Sequence, residues 1–145
     1  MTAEALAELA TEVAHALGLR DAGGASLSFD AQRERDPARV RARLLEALHG
    51  CRPAKRAPAV GAVVKALLDA AAARSAPSAL LRHVAELREL VAQGGHRRTK
   101  RAERDRAFGA LLVVFGLDAA LGFTADPRDP LKLTRAVEAW IQSGR

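Results

Sequence analysis

The sequence predicts an all-α protein, a single-domain bundle of about five to six helices spanning residues 1–145. Three observations carry this. Strand-forming residues are scarce, with no Tyr, four Phe, one Trp and few Thr or Ile, while Ala, Leu and Arg dominate. Apolar residues recur at intervals of three and four, the spacing that lines one face of a helix. A chain of 145 residues is also near the usual size of one domain and can bury a core without cross-links.

The first helix is expected from about Ala3 to Leu17, capped by Thr2 and stopped by Gly18, with Leu6, Leu9, Val13 and Leu17 on one face. Glu4, Glu8 and Glu12 share another face at i, i+4 spacing with no Lys or Arg among them. Like charges so placed are mildly repulsive. That face calls for a basic counterpart, in this molecule or another, which makes the three glutamates candidate protein-interface residues. Residues 19–36 read as a long loop around Gly23-Gly24, pinned to the core by Leu27 and Phe29. Asp36-Pro37 opens a second helix to about His49, with Val40, Leu44, Leu45 and Leu48 inward and Arg39, Arg41 and Arg43 outward.

A basic, proline-punctuated linker at 51–58 leads to a third helix, about Ala59 to Arg74, on Val60, Val63, Val64, Leu67, Leu68 and Ala71. A short turn at 75–78 makes the fourth helix its antiparallel neighbour, on Leu80, Leu81, Val84, Leu87 and Val91. After a basic turn at 94–100, Thr99 can cap a fifth helix through Phe108, Leu111, Leu112 and Phe115, ended by Gly116 or Gly122. A helix apolar on nearly every side is buried, so this one is expected at the centre, packed with Trp140. Asp126-Pro127 and Asp129-Pro130 are alternative starts for a last helix carrying Leu131, Leu133, Val137, Trp140 and Ile141.

The charge is concentrated in the middle. Between Asp30 and Arg106 there are 18 Lys/Arg against 9 Asp/Glu, and elsewhere 5 against 8. In the stretch His96–Arg106, six of eleven residues are basic, and it runs directly into the apolar block Ala107–Leu117. Guanidinium groups held in a fixed array match phosphates bidentately, and a basic stripe of this size is the usual footprint of a phosphate backbone. The candidate contacts are Arg39, Arg43, Arg52, Lys55 and Arg56 in one cluster, and Arg97, Arg98, Lys100, Arg101 and Arg104 in the other. Aromatic residues do not interleave with them, which favours contact with an RNA or DNA backbone over base stacking. A helix-turn-helix reader is disfavoured, because the linker from Arg52 is too long for its turn and the helix after Lys100 is too apolar to be its recognition helix.

Other chemistries are excluded or weak. Cys51 is the only cysteine, and His15, His49, His83 and His96 fall on four elements without metal-ligand spacing, so no metal or cofactor is expected. A Cys51–His49 nucleophile pair has no third group to orient it. The N-terminus lacks the features of a signal peptide and the longest apolar run is about eleven residues, so a cytoplasmic protein with no membrane partner is expected. Arg43-Leu44-Leu45-Glu46-Ala47-Leu48-His49 resembles the Arg-x(4–6)-His motif of HEPN-type ribonucleases, which implies His49 as base and Arg43 as phosphate holder; Leu44 departs from that family's polar residue.

In size, helix count, basic middle and the style of its last helix, Asp129 to Trp140, the chain resembles the small helical subunits of CRISPR effector complexes. The resemblance implies a non-catalytic antiviral-defence subunit that lies along guide or target strands beside other protein subunits, further copies of itself included. The alternative from another class is a protein–protein adaptor whose basic face meets an acidic partner.

Overall fold

In the computed structural model the structure describes residues 1–50, 57–93 and 99–144. These form seven helices: α1 (Ala3–Ala16), α2 (Pro37–Gly50), α3 (Ala57–Ala72), α4 (Pro77–Gln93), α5 (Arg101–Val114), α6 (Leu117–Ala120) and α7 (Pro130–Ser143). Among the described residues there is no strand, only an isolated bridge between Arg20 and Ser26. The helix beyond the expected five or six is α6. It arises because Gly116 adopts left-handed backbone (φ 69°), which ends α5 and lets one further turn run on until Gly122 (φ 84°).

α5 is the central helix. Every residue from Ala107 to Val114 is buried, and the helix packs against α1, α4, α6 and α7. α1 runs antiparallel to it: Glu12 pairs with Arg106, and His15, about one turn later, with Glu103, about one turn earlier. α7 crosses at Gly109, where a β-carbon would lie 2.0 Å from the carbonyl oxygen of Pro130. The hydroxyl of Thr134 accepts the Gly109 N–H (2.9 Å) and donates to the Asp105 carbonyl (2.5 Å), bridging the donor and acceptor of one α5 step. α3 packs between α2 and α4, and the tight α3–α4 link includes the left-handed Arg74 (φ 57°).

Two expectations about α7 are refined. It starts at Pro130, capped by Asp129, whose carboxylate accepts the Lys132 N–H. Asp126-Pro127 forms the preceding turn instead, its Asp126 carboxylate accepting the Arg128 N–H. Trp140 is half-buried rather than central, since the inward stripe of α7 is Leu133, Val137 and Ile141; its ring meets Phe123 edge-on at 6.1 Å. Leu45, Leu68 and Leu81 likewise sit at the margin of the core.

The 19–36 loop is tightly held. Leu27 and Phe29 are buried as expected, and the Leu27 N–H reaches the Leu19 carbonyl. The Thr11 hydroxyl of α1 accepts the Phe29 N–H while donating to Ala7, so the loop returns along α1 to the start of α2.

Candidate functional site

The described part of the second basic cluster surrounds the N-terminus of α5. The N-cap position is Lys100 and not Thr99, and no side chain accepts a hydrogen bond from the first-turn amides. Thr99, one residue earlier, is buried at 8% exposure. Lys100 is exposed. The Arg101 side chain is 87% exposed, 4.0 Å from Asp105 at its closest. Arg104 is half-buried with an unpartnered Nε, and Glu103, an acid in the same first turn, lies 3.6 Å from His15 of α1 with no hydrogen-bond partner for that oxygen among the described residues. Free backbone N–H groups, the positive end of the helix dipole and adjacent cations together suit an oxyanion. Arg97 and Arg98 of this cluster lie outside the described residues.

The first basic cluster is divided. Arg39 is exposed, with no ion pair among the described residues. Arg43 is engaged within the chain: it pairs with the buried Glu34 carboxylate, approaches the Ser28 carbonyl at 3.4 Å and lies over the Phe29 ring at 5.0 Å. Glu34 in turn accepts the Asp30 N–H, so Arg43 fastens the loop to α2. Arg52, Lys55 and Arg56 lie outside the described residues. Six residues along a helix set Arg43 and His49 roughly 120° apart in projection. Arg43 accordingly faces the loop, while the His49 ring packs beside Gly61 of α3, so the ribonuclease-like pair is not assembled within one chain.

Arg41, expected to face outward, Arg106, at the end of the second basic stretch, and Arg88, which sequence patterning did not single out, are structural. Arg41 of α2 donates from Nε to the Val114 carbonyl at 2.6 Å, satisfying one of the free carbonyls at the end of α5. Arg88 of α4, its side chain 12% exposed, reaches Asp105 of α5 (2.5 Å) and Glu138 of α7 (2.6 Å) and lies over Phe108, tying three helices together. Arg106 pairs with Glu12 at 3.0 Å, so one of the three α1 glutamates finds its counterpart inside the molecule. Glu4 and Glu8 stay exposed.

No family model, curated protein or solved structure matches this chain. Among the described residues no group of His, Cys, Asp and Glu is placed to hold a metal ion, and no helix is long and apolar enough to cross a membrane.

Proposed function

We propose that this chain is a non-catalytic, cytoplasmic helical subunit of a nucleoprotein assembly that binds the phosphate backbone of RNA or DNA, the class to which CRISPR effector small subunits belong. The observation that carries the reading is the N-terminus of α5, where no side-chain cap bond is made and Lys100 and Arg101 stand exposed. A phosphate there would satisfy amides that nothing in the described chain satisfies, and it would meet cations on a helix anchored in the core rather than on a solvated tail. The arginine excess on either side of this helix end in the sequence works in the same direction by counterion release.

The test is a salt titration. Affinity for a mixed-sequence oligonucleotide is measured against salt concentration for the wild type, for Lys100→Ala with Arg101→Ala, and for Lys65→Ala with Arg135→Ala, two exposed cations elsewhere. Loss of two phosphate contacts lowers the slope of log affinity against log salt by about 1.8 on double strands and about 1.4 on single strands. Equal slopes for the two double variants would make the α5 terminus ordinary solvated surface and overturn the reading.

A further inference from the structure

A second surface lies on the face of α1 that the rest of the bundle leaves uncovered. Between α1 and the returning loop runs an open groove of about 530 Å³. Ala7, Phe29 and Ala31 supply apolar lining, and Glu4, Glu8, Glu12 and Asp30 supply carboxylates. Glu12 is neutralised by Arg106, whereas Glu4, Glu8 and Asp30 are exposed and make no ion pair among the described residues. The Thr11 hydroxyl is already spent on Ala7 and Phe29. What remains to an incoming group is apolar surface and anionic acceptors.

That combination fits one kind of side chain. Lys and Arg lay their aliphatic stems on apolar surface while the charged head reaches a carboxylate. The molecule contains such an arrangement at the edge of the same groove, where Arg43 lies over Phe29 and pairs with Glu34. Charge complementarity also identifies the occupant. The whole chain carries a net charge of +6, while Glu4, Glu8 and Asp30 of this groove make no ion pair among the described residues.

We propose that the groove between α1 and the 19–36 loop docks Lys and Arg side chains of a second copy of this chain. A groove that receives a different part of the next molecule makes a heterologous contact, which builds open chains unless the rotation closes into a ring. Its acceptor residues are all acidic and none lies at the α5 terminus, so the contact can be tested apart from the phosphate reading.

Sedimentation velocity of the nuclease-treated full chain tests it, over roughly 10–200 µM protein at about 50 and 500 mM NaCl, where screening lengths differ severalfold. Weight-average mass is expected to climb with concentration at low salt and return to the monomer value at high salt. Glu4→Gln, Glu8→Gln and Asp30→Asn together should weaken association roughly tenfold. The control Asp69→Asn, Glu86→Gln and Glu89→Gln changes charge equally on exposed positions of α3 and α4 and should leave association nearly intact. Glu8→Lys alone should act in the direction of the groove triple. Monomer mass at every low-salt concentration overturns the proposal. So does a control that weakens association as much as the groove variant, because the effect would then be net charge alone. Loss of salt-dependent nucleic-acid binding with self-association intact would strike the phosphate reading and leave this contact standing.

Discussion

Gly109→Ala is the sharpest perturbation of this fold, because it sets helix propensity directly against helix packing. Alanine in a helix interior is favoured over glycine by about 1 kcal/mol. Here the new methyl would stand 2.0 Å from the Pro130 carbonyl oxygen and 2.8 Å from both the Pro130 carbonyl carbon and the Thr134 hydroxyl. Ordinary carbon–oxygen contacts begin near 3.3 Å, so α5 and α7 must part by roughly 1.3 Å at their crossing. The obstacle is backbone and cannot rotate away. A shift of that size forfeits much of the dispersion between Leu133 or Val137 and α5, and it breaks the Thr134 bridge to Gly109 and Asp105. Overpacking costs about 3 kcal/mol at the upper end and the bridge about 1 more, against the gain of about 1 in propensity. The net loss is about 3 kcal/mol. An unfolding entropy near 2.1 cal/mol/K per residue gives roughly 0.3 kcal/mol/K for 145 residues, hence a Tm lower by about 10 °C. Urea unfolding followed by Trp140 fluorescence and far-ultraviolet circular dichroism measures this directly. Gly61→Ala is the control: its nearest obstacles, at 3.1–3.2 Å, are the His49 ring, which can turn, and the Leu48 β-carbon, which need give only a few tenths of an ångström, so stability should stay within about 1 kcal/mol of wild type. A Gly109→Ala protein as stable as wild type, or less affected than Gly61→Ala, would refute the account of this crossing.

Leu112→Ala, at a fully buried position of α5, should cost roughly 2–5 kcal/mol in the same denaturation experiment; an unchanged midpoint would contradict the central placement of that helix. Arg88→Met removes the charge joining α4, α5 and α7 but keeps an apolar stem over Phe108. Asp105 and Glu138 are 24% and 39% exposed and regain some water, so the expected loss is about 1–2 kcal/mol rather than that of a fully buried pair. The readout is the urea midpoint, and a more stable variant would show that the cluster opposes folding.

Helix positions were legible wherever the chain carries an unambiguous local signal. Thr2 caps α1 and Gly18 ends it with φ 68°, as the residue types imply. The apolar run 107–117 announced the central helix, and Gly116 and Gly122 stood as alternative ends; that both act, with α6 between them, was not visible, because glycine tolerates both the helical and the left-handed backbone and only packing chooses. The choice between Asp126 and Asp129 as the start of α7 was also nonlocal, both being aspartate before proline. Gly109 carried no visible signal either. Its reason is the Pro130 carbonyl, 21 positions along the chain. For the candidate site, the sequence located cations but not their partners: Thr99 looked like the cap of α5, and the helix instead begins at an N-cap that makes no side-chain bond.

The same limitation explains what an arginine count means in this protein. Arg41, Arg43, Arg88 and Arg106 appear in the sequence as surface charge, yet each is committed to a named acceptor that closes a helix end, fastens a loop or ties helices together. Removing such a residue acts on folding, through the acceptor it leaves behind. Lys100 and Arg101 are the reverse case: exposed and almost unengaged, they contribute little to stability and are available to a ligand. Stability and salt slope therefore sort the arginines into two sets. Arg88→Met should move the unfolding midpoint without moving the slope, and the Lys100/Arg101 double variant should move the slope without moving the midpoint. If one substitution moved both quantities together, the separation between structural and ligand-facing cations would fail, and with it the inference that the uncapped end of α5 is a site rather than a by-product of an arginine-rich composition.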